Sequence, residues 1–305
     1  MNKIFVVIPC YNEETTIVSF LAELSEVLQK QTSFSFNVIV VDDYSIDNTR
    51  NLLTDFSKKN SVDSVLYKII ELPYNVGHQK AILEGLKYSS ANDFSNIIIM
   101  DGDGQDDPMA IPQLLERRNT DVVHVKRGKR NEGIKFRIFY WGYKLLFKIL
   151  IGKVIDFGNY CIITKNVATC LTDNGFINLP GFLLKQKFKR DYIIVDRRER
   201  IDGQSKMNFS SLVYHGLYSM LEFAEEFLMF FLRASLLFSG ISLAGILYVL
   251  YKRLFTDTAI IGWASTIILL TFICCLLCLG FFFIGLVSLK IYKKLSQNPS
   301  TVKVN

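Results

Sequence analysis

The chain of 305 residues carries the stretch NIIIMDGDGQDDP at residues 96–108. The stretch begins with an apolar run rich in isoleucine, which is typical of a strand buried on both faces of a sheet. The run ends at Asp101, and a turn through Gly102 follows it. This stretch therefore predicts a buried strand that places carboxylates at its carboxyl end, where open α/β sheets bind ligands.

Four more apolar runs before residue 126 are predicted strands. They are Lys3–Ile8, Phe36–Val41, Val65–Leu72 and Asp121–Val125. Helices are predicted between them, at Glu13–Gln31, over about 12 residues from Asp47, at Gln79–Ser89 and after Pro108. Continuous apolar strands that alternate with helices indicate a parallel sheet covered on both faces. Because crossovers are right-handed, the expected fold is a doubly wound, mostly parallel α/β domain.

Polar side chains follow the predicted strands at the points where the strands end. They are Tyr11, Asn12 and Glu13 after the first strand, Asp42 and Asp43 after the second, Asn75 after the third, and Asp101 and Asp103 after the fourth. The carboxyl ends of parallel strands meet at one edge of the sheet, so these groups are expected to converge there.

Asp101 and Asp103 flank a glycine, so a tight turn allows both carboxylates to share one hard divalent cation. Mg²⁺ or Mn²⁺ prefers such oxygen ligands and commonly bridges to phosphates. Bound beside a nucleotide diphosphate, the cation would stabilise negative charge on the leaving group. An Asp-x-Asp pair alone is common in turns, but the acidic run of residues 101–108 is far more specific.

The other polar groups at this edge each have two interpretations. Asp43 can accept a hydrogen bond from a nucleotide base, or the Asp42-Asp43 pair can cap the next helix. Glu13 can bind ribose hydroxyls or act as an acid in a first helical turn. The basic residues of the run 126–130 can neutralise a diphosphate or a lipid phosphate, or form a solvated charged surface.

Composition points to a membrane rather than to nucleic acid. Half of the residues are hydrophobic, and the formal net charge of +6 includes no basic block of the kind that binds nucleic acid. The positive residues cluster at about 126–153 and 290–303, beside apolar or aromatic segments, which favours an anionic membrane surface. The six cysteines show no framework spacing, and those at 274–278 lie in an apolar run, so reduced thiols and a cytosolic catalytic domain are expected.

Two C-terminal segments are long and apolar enough to cross a bilayer. Ala234–Tyr251 has 18 residues without a charge, and Thr258–Leu289 has 32. Two crossings return the chain to its starting side, and the basic tail places that side in the cytoplasm. The aromatic and basic segment 134–151 predicts a helix at the membrane interface, although a helix packed on the sheet is the alternative. Apolar residues at helical spacing in 209–228 predict a further amphipathic helix.

Four motifs occur in a characteristic order: IPCYNEE at 8–14, VDDYSIDNT at 41–49, NVGH at 75–78 and DGDGQD at 101–106. Together they resemble the family 2 glycosyltransferases, whose domain has the GT-A fold. The stretch RIDGQSK at 200–206 resembles a signature of the polyprenyl-phosphate branch of that family. That branch includes the GtrB-like bactoprenol glycosyltransferases and dolichyl-phosphate mannose synthase. The resemblance covers essentially the whole chain, including the two C-terminal helices.

The resemblance implies roles for individual residues. Those implied to bind the nucleotide-sugar are Pro9, Tyr11, Asn12, Glu13, Asp43, Arg127 and Arg130. Those implied to be catalytic are Asp101, Asp103 and Gln105, of which Asp101 and Asp103 would hold the metal. Those implied to shape the acceptor-phosphate site are Arg200, Ser205 and Lys206.

One departure from the family pattern bears on the acceptor. GtrB-like enzymes usually carry a Gly-Asp-Phe-Arg-Leu-like stretch, and here the matching residues include Asn159 in place of the acid and Cys161 in place of the arginine. A hydroxyl acceptor must lose a proton during attack, whereas a phosphate monoester is already ionised near neutral pH and needs no general base. Asp156 is the nearby acid that would substitute.

These observations predict an inverting glycosyltransferase that moves a sugar from a nucleotide-diphospho-sugar to polyprenyl (undecaprenyl) phosphate at the cytoplasmic face of the inner membrane, with Mg²⁺ or Mn²⁺. The alternatives are a glycosyltransferase acting on a hydroxyl of a lipid-linked glycan, and a non-catalytic, membrane-bound nucleotide-sugar-binding protein. A dinucleotide-dependent oxidoreductase is excluded, because no glycine-rich turn follows the first strand. The sugar, the choice of UDP, GDP or dTDP, and the oligomeric state, including a homo-oligomer, stay open.

The expected organisation has five parts. They are a GT-A catalytic domain at 1–205, an amphipathic juxtamembrane helix at 206–232, transmembrane helices at 233–252 and 259–289, and a basic cytoplasmic tail at 290–305. Two helices leave little room for a lipid-flipping channel, so a separate flippase is an expected partner.

Overall fold

The computed structural model describes residues 2–127, 148, 152, 156–195, 221–256, 263–296 and 303–304. The chain divides into two compact units. The sheet unit comprises residues 1–141, 154–222 and 300–305, and the helical unit comprises residues 142–153 and 223–299. Most of the predicted interfacial segment 134–151, and residues 206–220 of the predicted juxtamembrane helix, lie outside the described residues.

The sheet unit is built on one eight-stranded sheet. The strands are β1 (Asn2–Cys10), β2 (Phe34–Asp42), β3 (Val65–Glu71), β4 (Asn96–Ile99), β5 (Val122–Arg127), β6 (Cys161–Thr164), β7 (Arg190–Val195) and β8 (Lys303–Val304). They lie in the order β7-β5-β6-β4-β1-β2-β3-β8. The four strands β4-β1-β2-β3 pair in parallel, as do β5 and β7.

Helices cover both faces of this sheet. They are α1 (Ile17–Gln29), α2 (Thr49–Asn60), α3 (His78–Ser90), α4 (Ile111–Glu116), α5 (Lys165–Asn174) and α6 (Leu179–Lys185). Successive side chains of a strand point to opposite faces, and in β1 Val6 packs in the core that contains Phe20 of α1, whereas Val7 packs in the core that contains Ile82 of α3. The predicted doubly wound, mostly parallel α/β domain is thus confirmed.

The far side of the sheet differs from the simplest reading of the sequence. The fifth predicted strand does not pair with β4, because β6 lies between them and runs antiparallel to both. The strand β6 has only four residues and lies after the predicted alternation of strands and helices, so no regular sequence pattern predicts it. The first helix begins at Ile17 rather than Glu13, because the carbonyl of Glu13 accepts hydrogen bonds from Thr16 and Ile17 in a turn.

One histidine in the core is buried as a neutral group. His124 of β5 is 2% exposed, stacks on Phe157 at a ring-centroid distance of 3.8 Å, and has no hydrogen-bond partner for either ring nitrogen among the described residues. Burial, helped by the positive charges of Arg190 and Lys126, lowers the pKa of His124 to about 3. The ring is therefore uncharged at neutral pH.

This shifted pKa makes folding sensitive to acid. The unfolded chain binds the proton near pH 6.5 and the folded chain only near pH 3, so stability is lost as the pH falls through that window. Between pH 7.5 and pH 5 we expect a loss of about 2 kcal/mol from this group, and the variant His124→Phe should not show it. Denaturant unfolding of both proteins at the two pH values measures this difference. An identical acid loss in the variant would contradict the assignment.

The helical unit contains two long helices. They are α7 (Ala224–Phe255) and α8 (Trp263–Ser296), and both are long and apolar enough to span a membrane. Ser242 Oγ donates to Thr271 Oγ1 at 2.6 Å, and Ser235 Oγ donates to the Cys275 carbonyl at 3.2 Å. These bonds pair the two helices through small polar side chains, which is common between helices in membranes.

The two long helices run through the predicted segment boundaries without a break. A single helix, α7, contains the end of the predicted juxtamembrane helix and the whole first predicted span, with no break at residue 232. The second helix continues past the second predicted span to Ser296, within the predicted tail. All six cysteines are free, and Cys275 packs against Ser235, as expected for a cysteine at a helix contact.

Candidate active site

Two loops at the carboxyl ends of β1 and β2 are tied together by hydrogen bonds. The backbone N–H of Asn12 donates to Ser45 Oγ at 3.0 Å, and Asn12 Oδ1 accepts from the N–H of Ile46 at 3.0 Å. The N–H of Glu13 donates to Thr49 Oγ1 at 2.9 Å. Asn12 and Tyr44 adopt positive φ angles of 53° and 63°, in the left-handed region that most residues avoid. The predicted nucleotide-binding residues Asn12 and Glu13 therefore lie in the loop after β1, which is hydrogen-bonded to the loop after β2. We call this loop after β1 the rim of β1.

The side chain of Asp43 binds a third loop, the one between β3 and α3. Its Oδ1 accepts from the N–H of Val76 at 2.7 Å, and its Oδ2 accepts from the N–H of Gly77 at 2.9 Å. Asn75 Nδ2 donates to the carbonyl of Asp43 at 3.2 Å. Burial raises the pKa of Asp43, although the hydrogen bonds from Val76 and Gly77 oppose the rise. The carboxylate thus orders the β3–α3 loop, and each oxygen keeps a second lone pair for a ligand.

The side chain of the neighbouring Asp42 makes contacts that stabilise the fold. Its side chain is completely buried, it accepts from the N–H of Ser45 at 3.2 Å, and it lies 3.5 Å from Nε of Arg50. Arg50 also lies 3.5 Å from Glu71. Of the Asp42-Asp43 pair, the side chain that accepts the hydrogen bonds of Val76 and Gly77 in the β3–α3 loop is therefore that of Asp43.

The carboxylates after β4 are held by a network of backbone bonds. The N–H of Asp101 donates to Asp106 Oδ2 at 2.9 Å, and the N–H of Gln105 donates to Asp103 Oδ1 at 3.1 Å. A Cβ on Gly102 would lie 3.1 Å from Ile8 Cγ2, so the turn packs closely against the end of β1. The structure therefore brings Asp101 and Asp103 to the same sheet edge as the rim of β1.

His78 is a site residue that the sequence reasoning did not single out. Its Nε2 lies 3.2 Å from Asp101 Oδ1. Burial lowers the pKa of His78, but the carboxylates of Asp101, Asp103 and Asp106 act in the opposite direction, and the net effect is a raised pKa. The sequence signal that could have identified His78 is its position in the motif at 75–78. This motif follows β3 and ends at His78, the first residue of α3.

Asn159 also belongs to this site. Its Nδ2 lies 3.0 Å from Nε2 of His78, and its Oδ1 accepts from Gln79 Nε2 at 3.1 Å. The Oε1 of Gln79 in turn accepts from the N–H of Leu179 at 2.7 Å. The departure from the family pattern therefore lies next to Asp101, separated from it by one imidazole ring.

The remaining predicted site residues are placed as follows. Pro9 lies in β1, Tyr11 is 42% exposed beyond its end, and Glu13 Oε2 accepts from Thr16 Oγ1 at 2.8 Å. Gln105 Oε1 is buried without a hydrogen-bond partner among the described residues. Arg127 ends β5, and its side chain is not described. Outside the described residues lie Arg130, Arg200, Ser205 and Lys206.

The alternative acid Asp156 is engaged elsewhere. Its Oδ2 lies 2.8 Å from Lys126 Nζ, and that ammonium group also lies 4.2 Å from the ring of Tyr192. Among the described residues, no three His, Cys, Asp or Glu side chains form a group that could hold a metal ion by themselves.

The chain belongs to the family described as glycosyl transferase family 2, whose model matches residues 5–174, more than half of the chain. It is therefore a glycosyltransferase, and its sheet has the GT-A fold expected from the resemblance. The matched residues contain all four of the motifs that suggested the family.

Relatives extend this likeness along most of the chain. The uncharacterized glycosyltransferase YkcC of Bacillus subtilis is 28% identical over 275 residues, which is 87% of this chain and 81% of that protein. A prophage bactoprenol glucosyl transferase homologue of Escherichia coli is 28% identical over 213 residues, which is 68% of this chain and 67% of the relative. Mannosyl-3-phosphoglycerate synthase from Rubrobacter xylanophilus superposes with a TM-score of 0.48 and 15% identity over 73% of each chain.

Proposed function

We propose that this glycosyltransferase moves a sugar from a nucleotide-diphospho-sugar to a polyprenyl phosphate in the cytoplasmic membrane. The observation that carries the proposal is the convergence of three ordered loops and two carboxylates at one sheet edge, in a chain that continues into two apolar helices. The likeness to a bactoprenol glucosyl transferase homologue supports the acceptor class, since bactoprenol is a polyprenol.

Exposure of the apolar helices supports a membrane location. Large side chains such as Leu236 and Leu254 in α7, and Leu269 in α8, are more than half exposed in the structure. A contiguous apolar surface of this size is unfavourable in water and favourable in lipid. The lysines Lys290, Lys293, Lys294 and Lys303 follow the second apolar segment, which supports a cytoplasmic location for both ends of the pair.

The donor half of the site follows from the three loops. Asp43 has one lone pair left on each carboxylate oxygen and would accept an N–H from the nucleotide base. Pro9, Tyr11 and Glu13 line the rim of β1 and would hold the nucleoside. Arg127 and Arg130 follow along the chain and would neutralise phosphate.

Asp101 and Asp103 would hold one Mg²⁺ or Mn²⁺ together with the donor diphosphate. Mg²⁺ is usually bound by one or two carboxylates plus substrate phosphates and water, rather than by an all-protein cage. The pair of carboxylates present here fits that pattern. When bound, the cation supplies neutralisation of the charge that develops on the departing nucleoside diphosphate.

The transfer step needs little proton chemistry. An oxygen of the lipid phosphate attacks C1 of the sugar from the face opposite the diphosphate, the C1–O bond to the diphosphate breaks, and the configuration at C1 inverts. The attacking oxygen is already anionic near neutral pH, so no general base is required. Gln105 would lie beside the sugar, and Arg200, Ser205 and Lys206 would bind the acceptor phosphate.

The donor and cation requirements test this proposal first. Full-length protein in detergent is supplied with undecaprenyl phosphate, with UDP-, GDP- and dTDP-sugars in turn, and with Mg²⁺, Mn²⁺ or EDTA. We expect one nucleotide class to yield a sugar-phosphate-lipid, and EDTA to abolish the product. Full turnover in EDTA would remove the metal assignment, and donor binding without transfer to any lipid would favour a non-catalytic protein.

A further inference from the structure

The backbone of Tyr44 has a conformation that tyrosine normally avoids. Its φ angle is 63°, in the left-handed region, where the Cβ atom of an ordinary residue crowds the following carbonyl oxygen. Glycine has no Cβ and adopts this conformation freely, and asparagine and aspartate tolerate it, but a bulky residue found there is an outlier. Such strain is typical of functional sites, where the surrounding structure holds the residue in place.

Hydrogen bonds on both sides of Tyr44 fix this conformation. Before it, the N–H of Asp43 donates to the carbonyl of Cys10 at 2.9 Å. After it, the N–H of Ser45 donates to Asp42 Oδ1 at 3.2 Å. The side chain of Tyr44 itself makes no hydrogen bond, ion pair or ring contact with any other residue that the structure describes. The loop therefore imposes the strain, and no such contact of the tyrosine side chain offsets it in the folded chain.

The exposed side chain of Tyr44 belongs to a loop of the proposed nucleotide site. Tyr44 is 45% exposed and directly follows Asp43, the proposed acceptor of an N–H from the nucleotide base. The hydrogen bond from the N–H of Asn12 to Ser45 Oγ joins the residue after Tyr11 to the residue after Tyr44. Tyr11 and Tyr44 are thus exposed aromatic residues of two loops that are bonded to each other at the carboxyl ends of β1 and β2.

We propose that Tyr44 binds the sugar donor by stacking its ring on the nucleobase, and that the left-handed conformation is retained because it presents the ring to that base. This inference rests on the proposed function, since it concerns the donor of the same site. Every nucleobase has a π-face, so stacking on an aromatic ring adds affinity and tolerates different bases. Asp43 would accept an N–H at the edge of the base, so two consecutive residues would recognise its edge and its face.

Binding of nucleoside diphosphates to full-length protein in detergent tests the role of the ring. UDP, GDP and dTDP are titrated in the presence of Mn²⁺, and the one that the wild type binds most tightly is used for the variants. Tyr44→Phe keeps the ring and should bind within about twofold of the wild type, whereas Tyr44→Ala and Tyr44→Gly should each bind about tenfold more weakly. Pyrophosphate has no base and should bind all four proteins equally.

The melting temperatures of the same variants separate the ring from the backbone strain. Tyr44→Gly removes the Cβ atom and should raise the melting temperature by about 1–2 °C, whereas Tyr44→Ala keeps a Cβ atom at positive φ and should not raise it. The glycine variant would thus be more stable and bind the nucleotide more weakly. The matched control is Ile46→Ala, which shortens another exposed side chain of the same loop and should change neither quantity.

The other outcomes overturn the inference, the proposed function or both. Wild-type nucleotide affinity in Tyr44→Ala, or a loss confined to Tyr44→Gly, would show that the ring does not bind the base. An equal loss of pyrophosphate binding would place Tyr44 at the phosphates, and a lower melting temperature in Tyr44→Gly would show that the tyrosine stabilises the fold. Each of these results overturns the inference.

Two further results concern the proposed function. Nucleotide binding that depends on the Tyr44 ring, without sugar transfer to any lipid phosphate, overturns the proposed function alone. Wild-type protein that binds none of the three diphosphates overturns both.

Discussion

Asp103→Asn is expected to lower kcat by about two to three orders of magnitude while the protein stays folded. Asparagine keeps an oxygen that can accept from the N–H of Gln105, so the turn after β4 retains its hydrogen bond. The substitution removes the negative charge, and with it one of the two carboxylates proposed to hold a divalent cation. Sugar transfer and Mn²⁺ binding, each measured on purified variant, should fall together, with an unchanged melting temperature.

A neighbouring acid provides the control for this prediction. Asp107 lies four residues further on, and its Oδ1 accepts from the N–H of Met109 at 2.8 Å, where it caps a short helical turn. Asp107→Asn makes the same chemical change in the same loop and should keep turnover within about threefold. A folded Asp103→Asn protein with wild-type turnover would remove Asp103 from the catalytic group.

Gly85→Val is expected to unfold the sheet unit or to cost several kcal/mol of stability, a large part of the total for a typical domain. Gly85 lies on α3, where a Cβ would come within 2.5 Å of Val7 Cγ1 and 3.0 Å of Val41 Cγ2. Both valines are fully buried, and their branched side chains have little freedom to move. The helix therefore needs a residue without a side chain at this position to lie against β1 and β2.

A graded series measures this close packing. Gly85→Ala should lower the free energy of unfolding by about 1–3 kcal/mol, less than Gly85→Val. The control is Gly240→Ala in α7, where a Cβ meets nothing within 4 Å and alanine is the better helix former. Denaturant unfolding with a tryptophan or circular-dichroism signal reports all three variants. A Gly85→Val protein as stable as wild type would show that α3 does not approach the sheet as described.

The central sheet was predictable because its sequence signals are local. An apolar run such as Ile97–Met100, followed at once by Asp101, shows both burial and the end of the strand. The antiparallel strand β6 was not predicted, since an apolar run of four residues shows burial but neither a partner nor a direction. The pairing of β6 between β4 and β5 is a non-local contact that no spacing in the sequence encodes.

The candidate site was predictable in part for the same reason. Asp101 and Asp103 were found because strand ends converge on one edge, and the structure brings them together with the rim of β1. The role of Asp43 as a clamp on the β3–α3 loop was missed, because its partners are backbone groups more than 30 residues away. The contact between His78 and Asn159 joins residues 81 positions apart and needs the folded sheet.

The most direct test of the account is the mass of the lipid product made by the purified full-length protein. Parallel reactions contain the accepted nucleotide-sugar and either undecaprenyl phosphate or an undecaprenyl-linked glycan with free hydroxyls. We expect one added sugar on undecaprenyl phosphate and none on the glycan. Sugar added to the glycan, with undecaprenyl phosphate unchanged, would contradict the proposed acceptor and require a base that Asn159 does not provide.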